Sequence, residues 1–182
     1  MHASMPTLPV PRLSTVRLLL REPRLDDFEA FAANAADPVA AAGTGSAAVD
    51  AREAWRRFHG AAGHWLLQGM GWWVVEEREL GAIGMVGVFR RERGPGVEIG
   101  WSVYRAHWRN GYASEAAAAA LRFAVTDRRA ARVIAHIDKG NVASARVATK
   151  IGMRLHGDTA FYSDVVHLYV FDAATDTRGA LR

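Results

Sequence analysis

The 182-residue chain has no cysteine, which excludes a disulfide scaffold, a thiolate metal site and a cysteine nucleophile. Proline is scarce, and three of the six residues, Pro6, Pro9 and Pro11, fall in the first eleven positions. That opening lacks both the basic start and the continuous apolar run of a secretory signal, so export is not expected, and residues 1 to about 12 read as a flexible tail. Long apolar runs are missing too. The longest uncharged stretch, His59 to Val75, is broken by glycines, His64 and Gln68 and falls short of the roughly 20 apolar residues of a membrane span. A cytoplasmic protein without membrane contact is the expectation. Basic runs are also absent. The formal charge is +4, but nearly all of the basic residues are arginines dispersed along an Ala- and Gly-rich chain, which does not make a nucleic-acid surface. His107 and His136 are candidates to titrate near neutrality, yet the histidines have no metal-ligand spacing, so no metal is expected.

What remains is a chain that is 50% apolar, enough for one domain over residues 1–182. Thr15 to Arg21 is a short apolar run ending before Pro23, the pattern of a first strand. Asp26 and Asp27 precede Phe28, Ala30, Phe31 and Ala32, so acidic residues stand at the positive end of a helix. Ala35 to Ser46, mostly alanine and glycine, reads as a loop that is mobile or faces substrate. Asp50 with Glu53 resembles a capping box, and Trp55, Phe58, Ala62 and Leu66 continue at helical spacing. From Trp72 to Val103 the period changes to three strand-length runs separated by charged or Gly-Pro turns, an antiparallel meander. Trp72, Trp73 and Trp101 lie in it, and at least two of them are expected in the core. A helix from Gly111 to about Val125, a strand from Arg132 to Asp138, a helix from Val142 to Ile151 and a strand-rich tail from about Phe161 to Phe171 complete an α+β chain.

The chemistry concentrates in two segments. After the strand Val97 to Val103 comes Trp108-Arg109-Asn110-Gly111-Tyr112-Ala113-Ser114-Glu115. Gly111 and Ala113 let backbone amides approach a ligand, and the helix that follows opens with unpaired N–H groups and a positive dipole end, suited to a phosphate or pyrophosphate. The second segment runs Asp138 to Met153. Asn141 is placed as an N-cap, Val142, Ala145, Ala148 and Ile151 form one helical face, and Gly152 closes the helix. Asn141 and Ser144 then stand about one turn apart at the helix start.

Together with the Thr-Val-Arg-Leu-Leu-Leu-Arg opening, Trp72-Trp73-Val74-Val75, Glu98-Ile99-Gly100 and Lys150-x-Gly152-Met153, these segments resemble the GNAT acetyltransferase superfamily, in particular the group that acetylates N-termini of ribosomal proteins. The resemblance spans nearly the whole chain. It implies a central mixed, mostly antiparallel twisted sheet of about seven strands with flanking helices, and acetyl-CoA as co-substrate. The pantetheine arm is implied to pair with Trp101, Ser102 and Val103, and the pyrophosphate to rest on Trp108, Arg109, Asn110, Gly111, Tyr112, Ala113 and Ser114, with Asn141 and Lys150 completing the cofactor-binding set. The partners implied are acyl-CoA and an amine acceptor, either a protein N-terminus, a peptide or a small amine, with a homodimer through the C-terminal strands. The family usually has Gly then Lys or Arg after the tryptophan, where this chain has Arg109 then Asn110. Many members carry a tyrosine acid at the position of Ala148, which cannot serve.

Without a cysteine nucleophile, direct attack in a ternary complex is the simplest route. Glu98, a carboxylate on the cofactor strand, is the expected base, acting through water, and Ser144, matching a serine of the resembling group, the expected acid. A strand N–H polarises the carbonyl. The rival class is a catalytically silent acyl-CoA-binding or regulatory domain.

Overall fold

A computed structural model describes residues 10–175 apart from 44, 93 and 95. In chain order these residues form β1 (Leu13–Ser14), β2 (Leu18–Arg21), α1 (Phe28–Ala36), α2 (Pro38–Ala42), α3 (Ala51–Gln68), β3 (Trp72–Glu77), β4 (Gly81–Arg90), β5 (Val97–Val103), α4 (Tyr112–Thr126), β6 (Arg132–Ile137), α5 (Val142–Lys150), β7 (Arg154–Phe161) and β8 (Asp164–Asp172). The strands make one sheet in the order β1-β2-β3-β4-β5-β6-β8-β7. Every pairing is antiparallel except that of β5 with β6.

The expected mixed, mostly antiparallel sheet is present, with eight strands where about seven were expected. Two segments depart from the expected strands. The run Thr15 to Arg21 is not continuous: Thr15 N donates to Leu18 O at 2.9 Å, so residues 15–17 turn and Leu13–Ser14 pairs back on β2. The strand β7 carries few apolar residues and is half exposed, so no apolar run announces it. Residues 1–9 of the expected tail lie outside the described residues. The next residues are tied down, because the buried indole of Trp73 donates Nε1 to Pro11 O at 2.7 Å and Arg12 forks onto Glu22 at 2.7 and 2.9 Å.

The core lies between the sheet and α4. Ala116, Ala117, Ala120 and Ala124 are buried in it with Leu121 and Phe123, and their small side chains let the helix settle closely on the sheet. On α3 the buried residues are Ala54, Phe58 and Trp65; of the residues read at helical spacing Phe58 is buried and Ala62 partly so, while Trp55 and Leu66 are exposed. Asp50 does cap this helix, accepting from Glu53 N at 2.8 Å. The expected Ala35 to Ser46 loop contains α2, whose cap Asp37 also holds Arg105 at 3.0 Å and so fastens α2 beside the turn after β5. Thr44 lies outside the described residues. Among the described residues no helix is long and apolar enough to cross a membrane.

Candidate active site

The site begins where two parallel strands stop pairing. β5 and β6 are in register only at Val97 with Val133 and Glu98 with Ile134. Beyond Glu98 they separate, while the other edge of β5 stays paired with β4 as far as Val103. Beyond that last rung the β6-facing edge of β5 has no strand partner as far as Val103, whose carbonyl is taken by the Trp108 indole, so the backbone groups between them, around Trp101, are open to a ligand inside the sheet.

Two cavities open onto this gap. One, of about 570 Å³, is lined by Trp101, Ser102 and Val103 of β5, by Trp108, Arg109, Gly111, Tyr112 and Ala113 at the start of α4, and by Asn141, Ala143, Ser144, Arg146 and Val147 of α5. The other, of about 190 Å³, is lined by Trp72, Phe89, Arg91, Glu98, Trp101, Ser102, His136, Asn141, Ser144 and Phe161 among others. They share Gly43, Trp101, Ser102, Asn141 and Ser144. The gap in the sheet thus joins a long cleft to a smaller aromatic chamber.

The segment expected to hold the pyrophosphate lines one end of the cleft. Gly111 precedes α4 at φ 79° and Arg109 stands at φ 66°, a left-handed conformation that strains a residue with a side chain. Other contacts fix the loop. Trp108 Nε1 donates to Val103 O at 2.7 Å, and Asn110 Nδ2 donates to His107 O and Trp108 O, both at 3.2 Å. Glu115 accepts from Thr15 Oγ1 at 2.6 Å and from Arg17 N and Nε at 2.9 and 2.8 Å. Glu115 and Asn110 brace the loop, and Arg109 and Arg146 are its cationic lining.

Not every expected cofactor residue reaches the cleft. Trp101, Ser102, Val103, Trp108, Arg109, Gly111, Tyr112, Ala113 and Asn141 line it; Asn110, Ser114 and Lys150 do not. Lys150 is exposed in the last turn of α5, about 9 Å of helix rise beyond Ser144. Asn141 Oδ1 accepts from Ser144 N at 2.9 Å, the expected cap, while its Nδ2 donates to Gly43 O across the gap. Val142, expected on the buried face of α5, is exposed, whereas Ala148 and Ile151 are buried. Ser144 lines both cavities, and its hydroxyl forms no hydrogen bond among the described residues.

The chamber holds the titratable groups. Glu98 is buried at 6% exposure, and both its oxygens are taken by the Arg91 guanidinium, at 2.7 and 2.9 Å. Nδ1 of His136 lies 3.2 Å from Glu98 Oε2, within ion-pair range though off the hydrogen-bond direction. Burial opposes ionisation of Glu98, but its contacts with His136 and Arg91 outweigh it and hold the carboxyl below its ordinary value. Glu98 thus meets the chamber as half of a buried ion pair, where a free carboxylate was expected.

Trp72 forms one wall. Its ring stacks on Phe89 at 5.3 Å and 24° and covers Gly87 and Gly100, cross-strand partners in β4 and β5. A Cβ on either glycine would meet the indole at 2.6 or 2.7 Å. Of the three tryptophans expected mainly in the core, only Trp73 is fully buried; Trp72 and Trp101 are half-buried cavity walls. Arg91, Phe89 and Phe161 escaped sequence reasoning because turn arginines and strand aromatics are ordinary; the register that brings them to Glu98 is tertiary.

Comparison with known proteins bears on this geometry. The family model described as acetyltransferase (GNAT) domain matches residues 17–154. YkkB of Bacillus subtilis (strain 168) is 42% identical over 88 residues, 47% of this chain and 51% of YkkB, so the chain spans about half the length of this curated relative. The crystal structure of an acetyltransferase from Agrobacterium tumefaciens str. C58 superposes with a TM-score of 0.81 at 30% identity, covering 93% of this chain and 98% of that one. Mycobacterium smegmatis RimJ in complex with CoA-disulfide shares the fold, with a TM-score of 0.70 at 19% identity over 90% of this chain and 86% of its own.

Proposed function

The chain belongs to the GNAT acetyltransferase family, and from that premise we propose that it transfers an acetyl group from acetyl-CoA to a primary amine by direct attack in a ternary complex, as a single cytoplasmic domain. One observation carries the reading: the cleft and the chamber meet at Trp101, Ser102, Asn141 and Ser144, beside an open strand edge. A pantetheine arm paired along Trp101 to Val103, with its pyrophosphate at the start of α4, brings a thioester to that junction. The amine approaches from the chamber, and Ser144 returns a proton to the leaving thiolate.

The chamber favours an amine on a flat or apolar substituent over a polyamine. Its walls are Trp72, Phe89 and Phe161, and its buried carboxylate is already neutralised by Arg91. A free protein N-terminus fits the same description where its first side chain is small. Calorimetric titration with CoA, followed by free-thiol release from acetyl-CoA with a panel of amines and peptides, tests the proposal. Micromolar CoA binding with amine-dependent thiol release is expected. CoA binding with no release across the panel favours a silent acyl-CoA-binding domain, and no CoA binding sinks both.

A further inference from the structure

We propose that His136 is the group that takes the proton from the acceptor amine, and that Glu98 is its positioning residue; this rests on the acyl-transfer reading above. The imidazole stands on the separated part of β6 and lines the chamber. Its side chain is only 10% exposed, and its ring stacks on Phe161 at 4.3 Å and 23°, which fixes its plane. Nδ1 is enclosed and faces Glu98 Oε2, while Nε2 is not enclosed and forms no hydrogen bond among the described residues. A carboxylate 3.2 Å from Nδ1 attracts the ring proton to that nitrogen by charge, which leaves the lone pair on Nε2, the role of a general base with an acid beside it.

Glu98 is poorly placed to take the proton itself. Arg91 occupies both oxygens and is in turn held by Tyr162 Oη at 3.2 Å and by the Phe161 ring at 4.8 Å. Of the other charged groups nearby, Asp138 stands at the end of β6, and on β8 His167 is paired with Asp158 at 2.9 Å.

The step balances. The ammonium proton passes to Nε2, and the freed nitrogen lone pair bonds to the thioester carbonyl carbon as the C=O π pair moves onto oxygen, from which it returns when sulfur leaves. The C–S bond then breaks with its electron pair going to sulfur, and the second nitrogen proton reaches the thiolate by way of the Ser144 hydroxyl. The imidazolium afterwards releases its proton to solvent.

Two measurements decide the assignment. The ¹⁵N chemical shifts of His136 in the free protein read its tautomer without any acceptor: the neutral ring protonated on Nδ1 is expected, and an Nε2–H ring overturns the proposal. Kinetics with 2-phenylethylamine and a Ser-Ala-initiated peptide as probes form the second arm. His136→Gln is expected to lower kcat about 100-fold, leave CoA affinity within about twofold and flatten the acid limb of the kcat/KM profile. Glu98→Gln should lower kcat less and move that limb instead of removing it. A His136→Gln protein within about threefold of the parent kcat, or one that keeps the acid limb, overturns the proposal while leaving acyl transfer intact; a parent protein that binds no CoA removes both.

Discussion

Replacing Gly100 with alanine tests whether Trp72 is seated on the two glycines by contact. An added Cβ meets Trp72 Cη2 at 2.7 Å, Cζ2 at 3.3 Å and Cζ3 at 3.7 Å, and its three nearest neighbours are all atoms of this ring. Carbons pack comfortably at about 3.5–4.0 Å, so the indole has to tilt into the chamber. Overpacking of this size costs about 1–3 kcal/mol, or a Tm fall of roughly 2–12 °C in a domain of this length. Gly100 has no positive φ, so the loss measures space and not backbone strain. Urea unfolding of four proteins, the parent, Gly100→Ala, Trp72→Ala and the double variant, isolates the contact. With the ring gone no other atom lies closer than 3.7 Å to the added methyl, which is ordinary packing distance, and Gly100→Ala should then change stability by only a few tenths of a kcal/mol, giving a coupling of about 1–3 kcal/mol. Gly87→Ala is the internal control: its Cβ also meets Gly71 O at 3.0 Å, so loss of the ring relieves it only in part. Gly100→Ala should also raise the KM of an apolar amine with CoA affinity unchanged. Additivity within about 0.5 kcal/mol refutes the reasoning.

Ser144→Ala should lower turnover about tenfold or more with CoA affinity within about twofold; full turnover removes the proton-return role. Asn141→Ala loses the cap bond to Ser144 N and the bond to Gly43 O and should cost about 1–3 kcal/mol by denaturant titration, whereas Asn141→Asp keeps the cap and loses only the link to Gly43. Stability should fall on acidification in two stages. Half-buried His64, held below its ordinary 6.5 by desolvation and then by Arg91, takes up a proton less readily folded than unfolded, so stability falls as pH drops below 6.5. Glu22, held down to about 2 chiefly by Arg12, contributes fully above its ordinary 4.5 and is lost as pH falls from there toward 2; Glu98 and Glu115 are shifted in the same direction. A urea midpoint that rises between pH 6.5 and 3 contradicts these assignments.

Much of the frame was legible because its signals are local. The cap Asp50, the helix starts at Tyr112 and Val142, the cap Asn141 and the meander runs each depend on a few adjacent residues. What escaped depends on neighbours far along the chain. The break at Thr15 is fixed by Glu115, 100 positions away, and the exposure of Trp72 by two glycines on other strands. Glu98 was chosen for its chemistry, but its pairing with Arg91 and His136 follows from the register of β5 and the separation of β6, which no single segment encodes. Lys150 was drawn in by its motif, yet helix rise carries it away from the cleft.

The short parallel seam between β5 and β6 has a further consequence. Sheets usually keep unpaired strand edges at their rims, where charge, proline or a covering loop blocks other chains. Here the exposed ladder is internal, recessed between two strands and flanked by α4 and α5, so a narrow chain-like molecule can pair with it but another protein's sheet cannot. The protein is, in effect, one strand segment short, and a ligand that supplies the missing rungs should fasten the β1–β5 leaf to the β6–β8 leaf. Saturation at a hundred times its dissociation constant adds about 2.7 kcal/mol to folding, and slowed amide exchange should appear first along Ile99 to Val103.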